Sequence, residues 1–160
     1  MASFIMTENE KYMRRALELA HQAALEDEVP IGAVIVDPRN GEIIAEAYNK
    51  SEHGTDATAH AEILAMQQAC QKLNSKRLWD MDLYVTLEPC TMCAAAISFM
   101  RIKNLYFGAT DVKGGAVVSG VRFYEQPTCH HQPAVISGLC AEECGQLLKD
   151  FFRAKRDKKS

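Results

Sequence analysis

Two short stretches of this chain combine residue types that can hold a metal ion and move a proton: His60-Ala61-Glu62 and Pro89-Cys90-Thr91-Met92-Cys93. Two cysteines at C-x-x-C spacing on one helical turn point at a single ion, and His60, from the start of a neighbouring helix, can supply a third donor. Three protein ligands leave a tetrahedral zinc one open position for water, the arrangement of a catalytic rather than a structural site. Zinc then lowers the pKa of that water toward neutrality. Glu62 is the natural proton shuttle, able to take the water proton, pass it to a substrate nitrogen and later protonate a departing amine.

Two other readings compete for the same residues. A C-x-x-C pair alone also suits thioredoxin-like redox chemistry, but that leaves a His-x-Glu thirty residues upstream without purpose. A closed structural zinc needs a fourth ligand from Cys70, Cys129, Cys140 or Cys144. Cys140 and Cys144 stand i, i+4 on a closing helix and, with Cys70, read as small core residues.

Both motifs need a helix N-terminus, where unpaired N–H groups and partial positive charge favour thiolate and anion. The flanking sequence provides it. Thr7 with Glu10 makes a capping box, and Met13, Ala16, Leu17, Ala20 and Ala24 recur at helical spacing, predicting a first helix over about 8–26. Residues 31–37 and 42–49 read as strands joined by the Asn40-Gly41 turn signal, an antiparallel hairpin. A polar loop over 50–57 enters a second helix after Thr58; 82–87 is a strand, Pro89 a helix start, and 90–100 a third helix. A strand over 104–109, a Gly-rich loop over 111–120, a weak strand over 134–137 and a helix over 141–156 complete the series. Strands alternating with helices imply a mixed sheet with helices on both faces.

The 160 residues, 48% hydrophobic and 24% charged, suit one globular domain, with neither repeat nor linker. A net charge of -3 argues against a coat of positive charge for indiscriminate nucleic-acid binding. The charge is nevertheless polarised. Arg153, Lys155, Arg156, Lys158 and Lys159 against Asp157 give the last eight residues +4, which leaves -7 on the first 152. Such a tail reads either as a solvated, frayed end or as a phosphate-neutralising patch. The N-terminal stretch lacks the apolar segment of a secretory signal, and no run reaches 18 apolar residues, which places the chain in the cytoplasm, with no membrane partner, and its cysteines in the reduced state.

H-x-E followed by P-C-x-x-C resembles the signature of the zinc nucleobase deaminases. The likeness extends over Glu28-Val29-Pro30-Ile31-Gly32-Ala33-Val34, Asn49, Thr58-Ala59-His60-Ala61-Glu62, Leu83-Tyr84-Val85-Thr86-Leu87-Glu88-Pro89-Cys90, Phe107-Gly108-Ala109 through Asp111 to Lys113, and Asp150-Phe151-Phe152-Arg153. These segments, spanning about residues 10 to 156, are similar to the bacterial tRNA adenosine deaminase family. The resemblance implies a cytidine deaminase-like α/β fold, a three-layer α/β/α sandwich around a central mixed five-stranded sheet, as a single domain over 1–160. It implies a homodimer, one zinc per chain, and hydrolysis of adenosine to inosine at the wobble position of a tRNA anticodon stem-loop, with release of ammonia.

By the same resemblance His60, Cys90 and Cys93 are zinc ligands and Glu62 is the general acid/base. Asn49 resembles the residue that hydrogen-bonds the target nucleotide, and the backbone around Ala61 and Glu88 borders the base. Asp111 and Lys113 resemble a loop against the flanking RNA; Phe151, Arg153 and Arg156 resemble the closing-helix surface beside the anticodon loop. Plainer readings stand beside these: Asn49 finishing a turn, Asp111 and Lys113 a solvated pair, Phe151 or Phe152 a core residue. Ala57 stands where the family usually has Pro, Val118 where it has Gly, and 120–131 matches loosely, with His130-His131 in place of Asn-His. These departures touch the RNA-facing rim, so a free-base deaminase acting on guanine or cytosine is the alternative. A non-catalytic, zinc-stabilised RNA-binding module is the reading from another class, and it gives Glu62 no role.

Overall fold

The computed structural model describes residues 5–158. Helix α1 (Glu8–Leu25) starts where the capping box predicts: Glu10 N–H donates to Thr7 Oγ1 at 3.2 Å. Strands β1 (Gly32–Asp37) and β2 (Glu42–Tyr48) follow as an antiparallel hairpin. Gly41, at φ 75°, takes the left-handed position of the turn, and Glu42 N–H donates to Asn40 Oδ1 at 2.9 Å. Then come α2 (Ala61–Leu73), β3 (Asp82–Leu87), α3 (Thr91–Phe99), β4 (Asn104–Ala109), β5 (Ala134–Ser137) and α4 (Ala141–Lys158).

The sheet order is β2-β1-β3-β4-β5. β1 runs antiparallel to both its neighbours, while β3, β4 and β5 are mutually parallel. Alternation along the strands splits the core into two layers. Ala33, Ile35, Leu83, Val85, Leu105 and Phe107 meet Ala61, Ala65, Met66, Ala69, Ala94 and Ile97 of α2 and α3 on one face. Val34, Val36 and Tyr84 meet Met13, Ala16 and Leu17 of α1 and Cys144 of α4 on the other. This is the three-layer α/β/α arrangement around a five-stranded sheet that the sequence implies.

Differences from the expected elements lie at their ends. β1 starts at Gly32, β2 stops at Tyr48, and α3 begins one residue after Cys90. α4 continues to Lys158, so the basic segment is helical and not frayed through that residue; Lys159 lies outside the described residues. A 3-10 turn at Phe123–Glu125 was not anticipated, since three residues carry no periodicity to read. No helix among the described residues is long and apolar enough to cross a membrane.

Candidate metal centre and active site

Two helix N-termini converge at one end of the sheet. His60 is the N-cap of α2 and Cys90 the N-cap of α3, both in extended backbone, and neither side chain caps its own helix. Both are therefore free to turn outward. His60 Nδ1 lies 3.7 Å from Cys90 Sγ and 3.6 Å from Cys93 Sγ, and the three donor atoms all fall within 4.8 Å of one another. A tetrahedral ion with ordinary Zn–N and Zn–S bonds separates such nitrogen and sulfur donors by about 3.5 Å, so the set fits zinc without rearrangement.

No fourth thiol joins it. The group of His, Cys, Asp and Glu able to hold a metal among the described residues is these three alone. Cys144 is buried in the layer under α1 and α4, across the sheet, and Cys70 Sγ contacts Met100 Sδ at 4.0 Å. Cys129 donates to the His131 carbonyl at 3.1 Å. All six cysteines are free thiols. The closed structural site falls away, and the free thiols agree with the reduced state expected from the sequence.

Hydrogen bonding to Cys93, then to His60 and the Cys93 backbone, pushes the Cys90 thiol down to about 4 against the opposing effect of burial. Cys93, the partner in that bond, is pushed the other way, so the low value belongs to the first proton the pair gives up. Glu62, in the first turn of α2, is buried, at 4% exposure, and stands beside the donor set without joining it. Burial pushes its carboxyl up to about 7, with the Cys90 charge adding to the shift and its own backbone N–H opposing it. A carboxyl held near neutrality can both take and return a proton.

The remaining residues singled out in the sequence divide into two groups. Asn49 is buried just beyond β2, and its Oδ1 accepts the Ala61 N–H at 2.8 Å, capping α2 from a distance. That bond ties the end of β2 to the N-terminus of α2, next to His60. Glu88 is buried, and its carboxylate accepts five hydrogen bonds: from the N–H of Asp111 (2.9 Å), Val117 (3.0 Å), Val118 (2.9 Å) and Ser119 (3.0 Å), and from the Ser119 hydroxyl (3.0 Å). Burial alone would raise this group; the donors outweigh burial and hold it below the usual carboxylate range. Asp111 is half-buried and shapes its own loop, its Oδ1 accepting from Lys113 N (3.2 Å) and Gly114 N (3.0 Å). The Lys113 side chain is exposed. Val118 has no left-handed backbone, so a side chain in place of glycine brings no strain.

Phe151, Arg153 and Arg156 lie apart, on α4. Phe151 is half-buried, with Lys155 Nζ 5.4 Å over its ring, while Arg153 and Arg156 are exposed. Lys155 also pairs with Asp27 at 2.9 Å. A groove of about 280 Å³ is lined by Asp111 and Lys113 and, from α4, by Lys149 and Phe152; Phe151, Arg153 and Arg156 lie outside its lining. Two contributors carried no sequence signal: the Glu88 side chain, and Tyr124, whose hydroxyl donates to the Ala94 carbonyl at 2.9 Å and braces the turn that carries Cys93.

Residues 6–109 match the family model of the cytidine and deoxycytidylate deaminase zinc-binding region. A tRNA-specific adenosine deaminase of Agrobacterium fabrum (strain C58) is 56% identical over 94% of this chain and 98% of its own length. Proteins of the same name from Rickettsia bellii and Bacillus subtilis are 50% and 46% identical over 91% and 96% of this chain, and over 100% and 94% of their own. A solved structure described as a tRNA:A34 deaminase acting in A-to-I editing at the wobble position superposes with TM-score 0.84 at 56% identity, over 86% of this chain and 99% of that one. A guanine deaminase from Nitrosomonas europaea shares the fold, with TM-score 0.78 at 24% identity over 89% and 83%.

Proposed function

This chain belongs to the cytidine and deoxycytidylate deaminase family, in its tRNA-specific adenosine deaminase branch, and from that premise we propose that it hydrolyses adenosine to inosine at the wobble position of a tRNA anticodon stem-loop. The observation that carries the chemistry is a three-donor metal set with a buried carboxylate beside it. His60, Cys90 and Cys93 hold one zinc per chain. Zinc supplies the Lewis acidity that brings the pKa of a water toward neutrality. Glu62 would take one proton from the attacking water as its oxygen adds to the purine C6 and deliver it to the adjacent ring nitrogen, then take the second proton from the added hydroxyl and give it to the amino group, leaving the oxygen as the C6 carbonyl. The C6–N bond then breaks, and adenosine plus water become inosine plus ammonia.

Asn49 offers its amide nitrogen to the target nucleotide, its Oδ1 being held by Ala61 N–H, and the backbone of Ala61 and Glu88 borders the base. Asp111 and Lys113 face the flanking RNA; Phe151, Arg153 and Arg156 meet the anticodon loop from α4. A base in an unstacked loop is reached at lower cost than one in a duplex, which favours a stem-loop substrate. Residues 1–160 act as one domain in the cytoplasm, as a homodimer for which the exposed Trp79, Phe99, Val135 and Ile136 offer apolar surface. The test is ammonia release, side by side, from a stem-loop with adenosine at the wobble position, free guanine, cytosine and cytidine. Release from the stem-loop alone is expected. Release from guanine or cytosine, with the stem-loop untouched, overturns the assignment in favour of a free-base enzyme.

A further inference from the structure

The resemblance brought Glu88 into the site through its backbone, yet its side chain accepts five hydrogen bonds from the rim loop. The stretch from Asp111 to Ser119 has no regular structure, and five of its hydrogen-bond donations end on this one carboxylate. Each oxygen has its own clients: Oε1 takes Asp111 N–H and the Ser119 hydroxyl, and Oε2 takes the three consecutive N–H groups of Val117, Val118 and Ser119. Three successive amides on one oxygen form an anion-binding nest, here filled by the protein's own charge. Gly115 sits against the carboxylate so closely that a Cβ there would lie 2.4 Å from Glu88 Cδ and 2.5 Å from the Asp111 carbonyl oxygen. The backbone repeats the connection, with Ala116 N–H donating to the Pro89 carbonyl at 2.9 Å and Glu88 N–H to the Ala109 carbonyl at 2.8 Å.

Glu88 is also two residues from Cys90, at the turn where β3 hands the chain to α3. Whatever fixes its carboxylate therefore fixes the loop relative to the metal donors. We propose that Glu88 is a positioning residue whose carboxylate ties the loop that presents Asp111 and Lys113 to the strand–helix turn that delivers Cys90, so that the rim and the metal donors form one rigid unit. The distance between reacting base and flanking strand is then set by a single buried side chain. This rests on the stem-loop reading for its substrate, but not for its structural content.

Glu88→Gln keeps the shape and replaces one acceptor oxygen by an amide donor facing either the Asp111 amide or the nest. Ser119→Ala removes one of the five bonds, and Gly115→Ala wedges a methyl against an unaltered carboxylate. For each variant the readouts are zinc per chain, hydrogen exchange of the 111–119 amides, and kcat and KM on the stem-loop. Losing bonds to a charged acceptor should raise KM about ten-fold or more in Glu88→Gln, with faster exchange of the loop amides, kcat changed by less than about three-fold and zinc retained. Ser119→Ala should move both loop exchange and KM the same way by about two-fold, with Gly115→Ala between them. A merely structural role would shrink the active fraction, so that zinc and kcat fall together while KM stays put. That outcome overturns the proposal, as does unchanged loop exchange in both Glu88→Gln and Ser119→Ala. A wild type that ignores the stem-loop would defeat the substrate reading instead, and the exchange data would still decide the role of Glu88.

Discussion

The metal donors and the loop beyond β4 are neighbours built on opposite plans. His60, Cys90 and Cys93 stand at or within three residues of two helix N-caps, so the start of each helix sets the direction of its own donors. The loop has no element of its own and takes its shape from Glu88, 23 to 31 residues earlier in the chain. A site made of helix starts leaves a spaced motif in the sequence. One made of backbone amides converging on a remote carboxylate leaves none.

The sharpest way to break this contrast is to remove a donor. Cys90→Ser or His60→Ala should lower zinc affinity by more than about a hundred-fold, since each ligand is a large share of a metal-binding free energy. Cys144→Ser, across the sheet in the other core layer, should leave zinc at the wild-type level and lower only the stability of the fold, by about 1–3 kcal/mol for a buried hydroxyl. Metal analysis and thermal melts on the same preparations make the comparison. Zinc lost in Cys144→Ser would restore a fourth ligand to the site.

The next effect separates charge from shape at the rim. Replacing Arg153, Lys155 and Arg156 together by Gln should weaken stem-loop binding and reduce the slope of log affinity against log salt by about 0.7 per lost phosphate contact, with zinc content unchanged. Lys155 is already paired with Asp27, so its share should be the smallest of the three. Equal slopes for both proteins would mean that the end of α4 is only a solvated face.

The smallest effect concerns the seat of α4 on α1. Arg14 holds the Glu143 carboxylate through a forked pair, with Nη2 donating to Oε1 at 2.8 Å. That hydrogen bond is what lowers the Glu143 carboxyl below its ordinary 4.5. A lowered carboxyl stabilises the fold above its unfolded pKa, and the contribution is lost as pH falls through the folded value. Both side chains are 41–50% exposed, so Glu143→Gln should cost under about 1 kcal/mol at neutral pH and nothing in acid. Denaturant midpoints at pH 7 and pH 3 read the difference. A larger loss at pH 3 would contradict the pairing.

Most of the frame was legible because periodicity and caps are local. The capping box of α1, the Asn40-Gly41 turn and the spans of β3, β4 and β5 all follow from residues adjacent in sequence. So did the grouping of His60, Cys90 and Cys93 as metal-capable donors. Asn49 stood out in the sequence only through the resemblance, because its bond to Ala61 depends on β2 delivering it across the N-terminus of α2, a tertiary fact. The Glu88 carboxylate and the Tyr124 hydroxyl were illegible for the same reason: their partners are backbone groups, which no side-chain pattern encodes.

The central claim is that a proton shuttle stands beside the metal donors without being one of them, and Glu62→Ala tests it most directly when zinc content and turnover are measured on one preparation. Loss of acid–base catalysis should lower the rate by about 10²–10⁴-fold or to background, with zinc still near one per chain. Full activity, or zinc lost in proportion to activity, would contradict the account.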